Sequence, residues 1–316
     1  MITRIKISVV IPIFSEEATL PVLYERLIPM LEQVAGEGYE VIFVDDGSTD
    51  RSPELLQAFH QRNPRVKIIR FSRNFGHQAA LTAGMRRTSG QAVVLMDGDL
   101  QDPPEFIPEF VRHWQKGYQV VYAVRRRRKE HLLKRFLYWA FYRLLAQVGS
   151  IRIPLETGDF CLLDRRVVGF LNAMPERDRF LRGLRSFVGF AQIGVEYERE
   201  RRFAGKPKYT FGKLLKLAMD GLVSFSNTPL RLAIWLGFSV AFFAFIGILV
   251  VLYHKFISHQ TIPGWASVMI AVLFLGAVQL FTIGVLGEYV GRIFEEVKER
   301  PYYVVAEELG FDESGD

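Results

Sequence analysis

The stretch Ala92-Val93-Val94-Leu95-Met96-Asp97-Gly98-Asp99-Leu100-Gln101-Asp102-Pro103-Pro104 decides how this chain folds. A short apolar run that ends abruptly in acids and prolines has the form of a buried strand delivering a polar turn. Upstream, similar β-branched runs cover Ile7 to Ile13, Tyr39 to Val44 and Val66 to Phe71, and downstream another covers Gln119 to Val124. Helix-like segments long enough for βα crossovers separate them. The spacing therefore predicts an α/β domain built on a mostly parallel sheet covered on both faces. Ligands of such sheets bind beyond the carboxyl ends of the strands, so the residues after each run are the candidate site.

Those residues are nearly all polar. The first run ends in Pro12-Ile13-Phe14-Ser15-Glu16-Glu17, the second in Asp45-Asp46-Gly47-Ser48-Thr49-Asp50, the third in Ser72-Arg73-Asn74, and the fifth in the basic run Arg125 to Lys129. Asp97-Gly98-Asp99 is the centre of the chemistry. In an extended strand, residues two apart share a face, and the intervening glycine lets the backbone turn, so both carboxylates can approach one hard cation. Gln101 adds a neutral oxygen. Carboxylate and amide oxygens suit Mg²⁺ or Mn²⁺, which take few protein ligands and complete their shell with substrate phosphates. The implied substrate is a nucleoside diphosphate. An isolated Asp-Gly-Asp is also a common turn, but the second acidic turn at Asp45-Asp46 favours the metal. The chain has no Gly-x-Gly-x-x-Gly after its first run and no Gly-x-x-x-x-Gly-Lys-Ser/Thr, which removes the main phosphate cradles of dinucleotide and P-loop proteins.

Composition narrows the classes further. The chain has 316 residues, 23% of them charged and 49% apolar, which excludes a disordered tail, a collagen and a coiled-coil rod. One cysteine, Cys161, cannot form an internal disulfide. Hydrophobicity is uneven. Leu232 to Tyr253 is a run of 22 residues without Asp, Glu, Lys or Arg, and Phe256 to Gly287 is a second uncharged stretch. At about 1.5 Å per helical residue, the first reaches ~33 Å, enough for a hydrocarbon core of ~30 Å. Neither has the polar stripe of a buried soluble hairpin, so transmembrane helices are expected at 232–253 and 265–287. Lys213, Lys216 and Arg231 precede the pair, Arg292, Lys298 and Arg300 follow it, and the linking loop offers only Lys255. This asymmetry predicts both termini in the cytosol. Ser8 to Phe14 reads as a strand rather than a targeting signal, because Glu16 and Glu17 stand where a cleavage site would be needed.

Residues 112 to 143 carry ten Lys or Arg against one acid, Glu130, and Leu132 to Leu145 interleaves aromatic and basic side chains. Such a helix suits an anionic membrane surface, and Phe211 to Phe225 is a second interfacial candidate. The basic run has no recognition helix or stacking platform beside it, so no nucleic-acid partner is expected. His77 and Cys161 read as structural, and Phe311 to Asp316 as an acidic tail.

The set Val10-Ile11-Pro12 through Glu16, Asp45 to Asp50, Asn74-Phe75-Gly76, Asp97 to Pro104 and Arg202-Phe203-Ala204-Gly205-Lys206-Pro207-Lys208-Tyr209 resembles glycosyltransferase family 2, in its polyprenyl-phosphate branch. The resemblance covers nearly the whole chain. It implies a Rossmann-like sheet of the GT-A type over residues 1–210, an interfacial amphipathic helix at 211–230, a transmembrane hairpin at 231–290 and a cytosolic tail at 291–316. It also implies that Pro12, Glu16, Asp45 and Asp46, with Arg73 nearby, hold the nucleotide. Asp97, Asp99 and Gln101 would hold the metal and diphosphate. Arg125 would face the acceptor phosphate, Asp159 would lie near the acceptor, and Arg202 and Lys208 would belong to a loop that closes over the diphosphate. Ser15 stands where Asn is usual, and Pro207 where that loop usually has Ser, so no hydroxyl contact carries over from that position.

The expected activity is inverting transfer of a sugar from a nucleoside diphosphate to polyprenyl phosphate, at the cytosolic face of a bacterial plasma membrane. The two-span architecture, which resembles bactoprenol glucosyltransferases, favours UDP-glucose. An acceptor phosphate with a second pKa of about 6 is already nucleophilic near neutral pH, so charge neutralisation matters more than a strong base. The alternative is a non-catalytic, membrane-tethered nucleotide-sugar binder, which would not need Asp97 and Asp99 together. A processive polysaccharide synthase fits less well, since two spans offer little for a channel. The reading leaves room for a homo-oligomer.

Overall fold

The computed structural model describes residues 6–125, 157–176, 179–197, 228–256 and 264–311. Two compact units share the chain: one takes residues 1–142, 151–209 and 300–316, the other 143–150 and 210–299. In chain order, the first carries β1 (Ile7–Ile13), α1 (Leu20–Ala35), β2 (Tyr39–Asp45), α2 (Ser52–Arg62), β3 (Val66–Phe71), α3 (His77–Arg86) and β4 (Ala92–Leu95). There follow α4 (Ile107–Gln115), β5 (Val120–Arg125), β6 (Thr157–Asp164), α5 (Arg165–Ala173), α6 (Leu181–Phe187), β7 (Gln192–Tyr197) and, after the second unit, β8 (Val305–Leu309).

The five apolar runs are β1 to β5, as the spacing predicts. All seven residues of β1 and all seven of β2 are buried, which is the pattern of strands covered on both faces. The strand order is β7-β5-β6-β4-β1-β2-β3-β8. Pairs β1–β2, β1–β4, β2–β3 and β5–β7 are parallel, whereas β4–β6, β5–β6 and β3–β8 are antiparallel. The sheet is thus mostly parallel, with β6 inserted against the direction of β4 and β5. That reversal matters for function: β6 begins where β4 and β5 end, so its first residues reach the edge carrying the polar turns.

On one face, Leu23, Leu27 and Leu31 of α1, Leu56 and Phe59 of α2 and Phe110 of α4 pack on Val9, Ile11, Phe43 and Val94. Ring contacts tighten this core, with Tyr24 stacked on Phe59 at 4.3 Å and Phe110 at 4.7 Å from Phe160. Full burial of each such side chain contributes about 1.5–3 kcal/mol, which makes the sheet a rigid base for its edge loops.

The second unit carries α7 (Thr228–Phe256, 29 residues) and α8 (Trp265–Val297, 33 residues). Their large apolar side chains stand exposed, Trp235 at 70% and Leu280 at 72%. Among the described residues, one stretch, Ile270–Val297 in α8, is long and apolar enough to cross a membrane, and the apolar stretch of α7 is the shorter Ala233–Gly247. A pair of spans at 232–253 and 265–287 is therefore not established by helix length and hydropathy. One expectation needs correcting: residues 291–316 are not simply a tail. The last turns of α8 occupy the start, and β8 returns to the sheet beside β3. The interfacial helices expected at 132–145 and 211–225 lie outside the described residues.

Candidate active site

The turns after β1, β2, β3 and β4 meet at one edge, where backbone N–H groups of the first donate to side chains that follow β2. Ser15 N–H donates to Ser48 Oγ at 2.9 Å, Glu16 N–H to Ser52 Oγ at 3.0 Å and Glu17 N–H to Asp50 Oδ2 at 3.1 Å. Ser15 sits at φ +56°, a left-handed conformation in which Asn is favoured over Ser, which gives the family's usual Asn at this position a physical reason. Glu16 is half-buried, and its carboxylate accepts from Thr19 Oγ1 at 3.1 Å. Pro12 is buried within β1, opposite Val44.

The Asp45-Asp46 pair shapes the site from beneath. Asp45 is fully buried; its Oδ1 accepts from Ser48 N–H at 2.9 Å and its Oδ2 lies 3.5 Å from Arg70 Nε. Asp46 accepts from Phe75 N–H at 2.7 Å and Gly76 N–H at 2.9 Å, and burial pushes its pKa up. At Gly47, φ is +71° and a Cβ would stand 2.6 Å from the Arg73 carbonyl carbon, so the second and third turns touch backbone to backbone. Arg73 itself is exposed, its guanidinium 4.1 Å from the Phe75 ring centroid.

After β4, a Cβ on Gly98 would stand 2.5 Å from Ile13 Cδ1 and 3.2 Å from the Pro12 carbonyl oxygen. Only glycine lets the Asp97-Gly98-Asp99 turn lie this close to β1. Asp99 Oδ1 accepts from the backbone N–H of Gln101 at 3.1 Å. The segment that follows is tied by Tyr197, at the end of β7, whose hydroxyl donates to the buried Asp102 at 2.6 Å.

Asp159, third residue of β6, completes the edge. Arg182 of α6 donates to it from Nε at 2.9 Å and from a terminal nitrogen at 3.0 Å, a two-pronged fork. His77 Nε2 lies 3.4 Å from Asp159 Oδ2 and 3.5 Å from Asp97 Oδ1, so one imidazole bridges the acid of the turn after β4 and the acid of β6. Gln78 braces the cluster, accepting from Leu181 N–H at 3.1 Å and reaching Asp159 at 3.4 Å. Burial disfavours the His77 cation, but Asp159 and Asp97 outweigh it and push its pKa up to about 9. Burial likewise works against the Asp159 anion, yet Arg182 and His77 hold its carboxyl far below the usual range. The cluster is thus two cations interleaved with two carboxylates, with Asp159 nearly buried and Arg182 and His77 reaching the surface.

Of the residues singled out from sequence, Pro12, Glu16, Asp45, Asp46, Arg73, Asp97, Asp99, Gln101 and Asp159 gather on this edge. Arg125 ends β5 opposite Tyr197, at the same edge. Arg202 and Lys208 lie outside the described residues. Sequence reasoning missed Arg182 and read His77 as structural, whereas its contact with both acids and its 42% exposure place it in the site. Among the described residues, no three His, Cys, Asp or Glu side chains cluster as a closed metal cage. Asp97, Asp99 and Gln101 instead offer the open set of hard oxygen donors that suits a Mg²⁺ or Mn²⁺ sharing its shell with substrate phosphates.

Residues 8–170 match the family model described as glycosyl transferase family 2. The chain belongs to this family. Residues 228–293 match the model described as the GtrB C-terminal hairpin. A relative from Bacillus subtilis (strain 168), described as the uncharacterized glycosyltransferase YkcC, is 46% identical over 313 residues, 99% of this chain and 97% of the relative. The bactoprenol glucosyl transferase of Shigella phage SfII is 40% identical over 301 residues, 95% of this chain and 97% of its own. Among solved structures, glucosyl-3-phosphoglycerate synthase from Mycobacterium tuberculosis with bound phosphoglyceric acid matches at TM-score 0.46 and 26% identity, covering 69% of this chain and 79% of the other.

Proposed function

We propose that this glycosyltransferase moves a sugar, with glucose from UDP-glucose the favoured donor, onto polyprenyl phosphate at a membrane surface. The observation that carries the reading is the joining of the Asp97-Gly98-Asp99 turn to Asp159 and Arg182 through His77. It sets an acid pair that would hold the diphosphate beside cations that would hold the acceptor phosphate. The near full-length likeness to a bactoprenol glucosyl transferase supports the lipid acceptor and the glucosyl group.

In the proposed step, a phosphate oxygen of the acceptor attacks the anomeric carbon from the face opposite the leaving group. The bond from that carbon to the donor's diphosphate oxygen breaks, and its electron pair departs with the nucleoside diphosphate. No strong base is needed. Asp159 fits that economy: a carboxylate held so far below its usual pKa is a poor proton acceptor, and its work is to orient Arg182 and His77. Arg125 and Arg182 would take the acceptor phosphate, while Arg202 and Lys208 would close on the diphosphate. Asp97 and Asp99, with Gln101, would hold a divalent cation that neutralises charge on the departing diphosphate. Pro12, Glu16 and Arg73 would border the nucleoside, on the frame built by Asp45 and Asp46.

The hairpin supports an even number of membrane crossings. The chain leaves the sheet-bearing unit before α7 and re-enters the same sheet as β8, an arrangement that would keep both ends of the hairpin on one side. The Lys and Arg flanks favour the cytosolic side. The test of the metal reading is Asp97→Asn and Asp99→Asn in the purified full chain. Both should lose most transfer while keeping the wild-type thermal midpoint within a few degrees. Full-rate transfer in chelator, or in both variants, overturns it.

A further inference from the structure

Residues 294–311 lie beyond both family matches, yet Tyr303 and Val304 reach the end of β3 and the turn after it. Ser72, the first residue after β3, donates its N–H to the Val304 carbonyl at 3.0 Å. Tyr303 stacks on Phe71 with ring centroids 5.0 Å apart and planes at 14°. Phe71 in turn meets Phe75 edge to face at 5.7 Å and 87°. Phe75 is the residue whose N–H is clamped by Asp46, and its ring carries the Arg73 guanidinium. A column of three rings therefore runs from the C-terminal segment into the 72–76 turn, which on its other side is pressed against Gly47 and leads directly into His77.

We propose that the C-terminal segment is a working part of the donor site, with Tyr303 as a positioning residue that holds the 72–76 turn in its donor-binding shape. This rests on the donor assignment above. Cover for an exposed sheet edge would account for β8 as a strand, but not for an aromatic ring placed ahead of that strand and against the base of a binding turn. The strand's other end is secured separately: Glu308 pairs with Arg87, and Lys67 lies 5.2 Å from the Phe311 ring centroid. Because Tyr303 follows α8 by only a few residues, the hairpin and the donor turn are joined through one short piece of chain.

The experiment is calorimetric titration of the full chain in detergent with UDP, UDP-glucose and GDP-mannose, beside steady-state transfer, for wild type, Tyr303→Phe, Tyr303→Ala and Phe311→Ala. An aromatic pair of this kind gives a roughly three- to tenfold change in affinity. Tyr303→Ala should weaken donor binding and raise the donor KM by that factor with kcat within about twofold of wild type. Tyr303→Phe, which keeps the ring, should restore both, and Phe311→Ala, which loosens only the far end, should bind donor normally. Equal donor affinity in wild type and Tyr303→Ala overturns this inference alone. So does an equal loss in Phe311→Ala and Tyr303→Ala, which would make the effect one of strand docking in general. A wild-type chain that binds none of the three nucleotides overturns the donor reading and this inference with it.

Discussion

The fork from Arg182 to Asp159 joins a nearly buried carboxylate to a guanidinium that is one-third exposed. Removing the arginine strands the acid, and hydrogen bonds to charged groups are worth about 1.5–3 kcal/mol. Arg182→Gln should therefore lower the thermal midpoint and cut transfer to polyprenyl phosphate by roughly tenfold or more, while donor affinity measured by titration stays near wild type. An equal loss of donor affinity would move Arg182 from the acceptor to the diphosphate. His77 adds a dependence on pH. Its folded pKa, about 9, lies above the ordinary 6.5, so its contribution to stability is complete below about 6.5 and is lost as pH rises through about 9. In chelator-treated protein, His77→Gln should flatten the fall in thermal midpoint between pH 7 and 9.5; a variant that falls as steeply as wild type would take His77 out of the pairing. Arg182 left no trace in the sequence because it stands 23 residues from Asp159 on an ordinary short helix. His77 reads in the sequence alone as structural. The acid turns were legible because their chemistry is contiguous along the chain, whereas the cations that meet Asp159 are brought together by tertiary packing.

At the scale of elements, β1 to β5 are apolar runs whose spacing leaves little choice of architecture. The antiparallel β6 was less legible: Thr157–Asp164 mixes polar and apolar residues, and its direction is set by the neighbours it pairs with. Its reversal brings Asp159 to the active edge, so the resemblance supplied that residue before strand logic could. β7 and β8 are short and partly exposed, and β8 lies far along the chain behind two apolar helices. Yet β7 braces the turn after β4, proposed to hold the metal, since its Tyr197 hydroxyl bonds Asp102 with both residues buried. Tyr197→Phe removes that hydrogen bond to the carboxylate, a loss of about 1.5–3 kcal/mol, and should weaken activation by Mn²⁺ more than it weakens nucleotide binding. Unchanged metal dependence in a destabilised Tyr197→Phe would confine the residue to packing.

For the whole molecule, a sheet proposed to bind a charged donor and a pair of exposed apolar helices make sense together if the acceptor is a lipid whose phosphate lies at the membrane surface. The return of β8 to the sheet, with the Lys and Arg flanks, predicts that reporters fused at Met1 and Asp316 both read as cytosolic, with residues 254–264 outside; a carboxy terminus on the outer face would mean an odd number of crossings. The central claim is sugar transfer to polyprenyl phosphate, and the most direct measurement supplies purified chain in detergent with a short polyprenyl phosphate, Mg²⁺ or Mn²⁺, and a panel of labelled nucleotide sugars. Label should move into the organic phase as a sugar–phosphate–lipid, most strongly from UDP-glucose, and should stay in the aqueous phase with Asp97→Asn. A wild-type chain that binds a donor but moves none of these sugars into the lipid would contradict the claim and leave a nucleotide-sugar binder in its place.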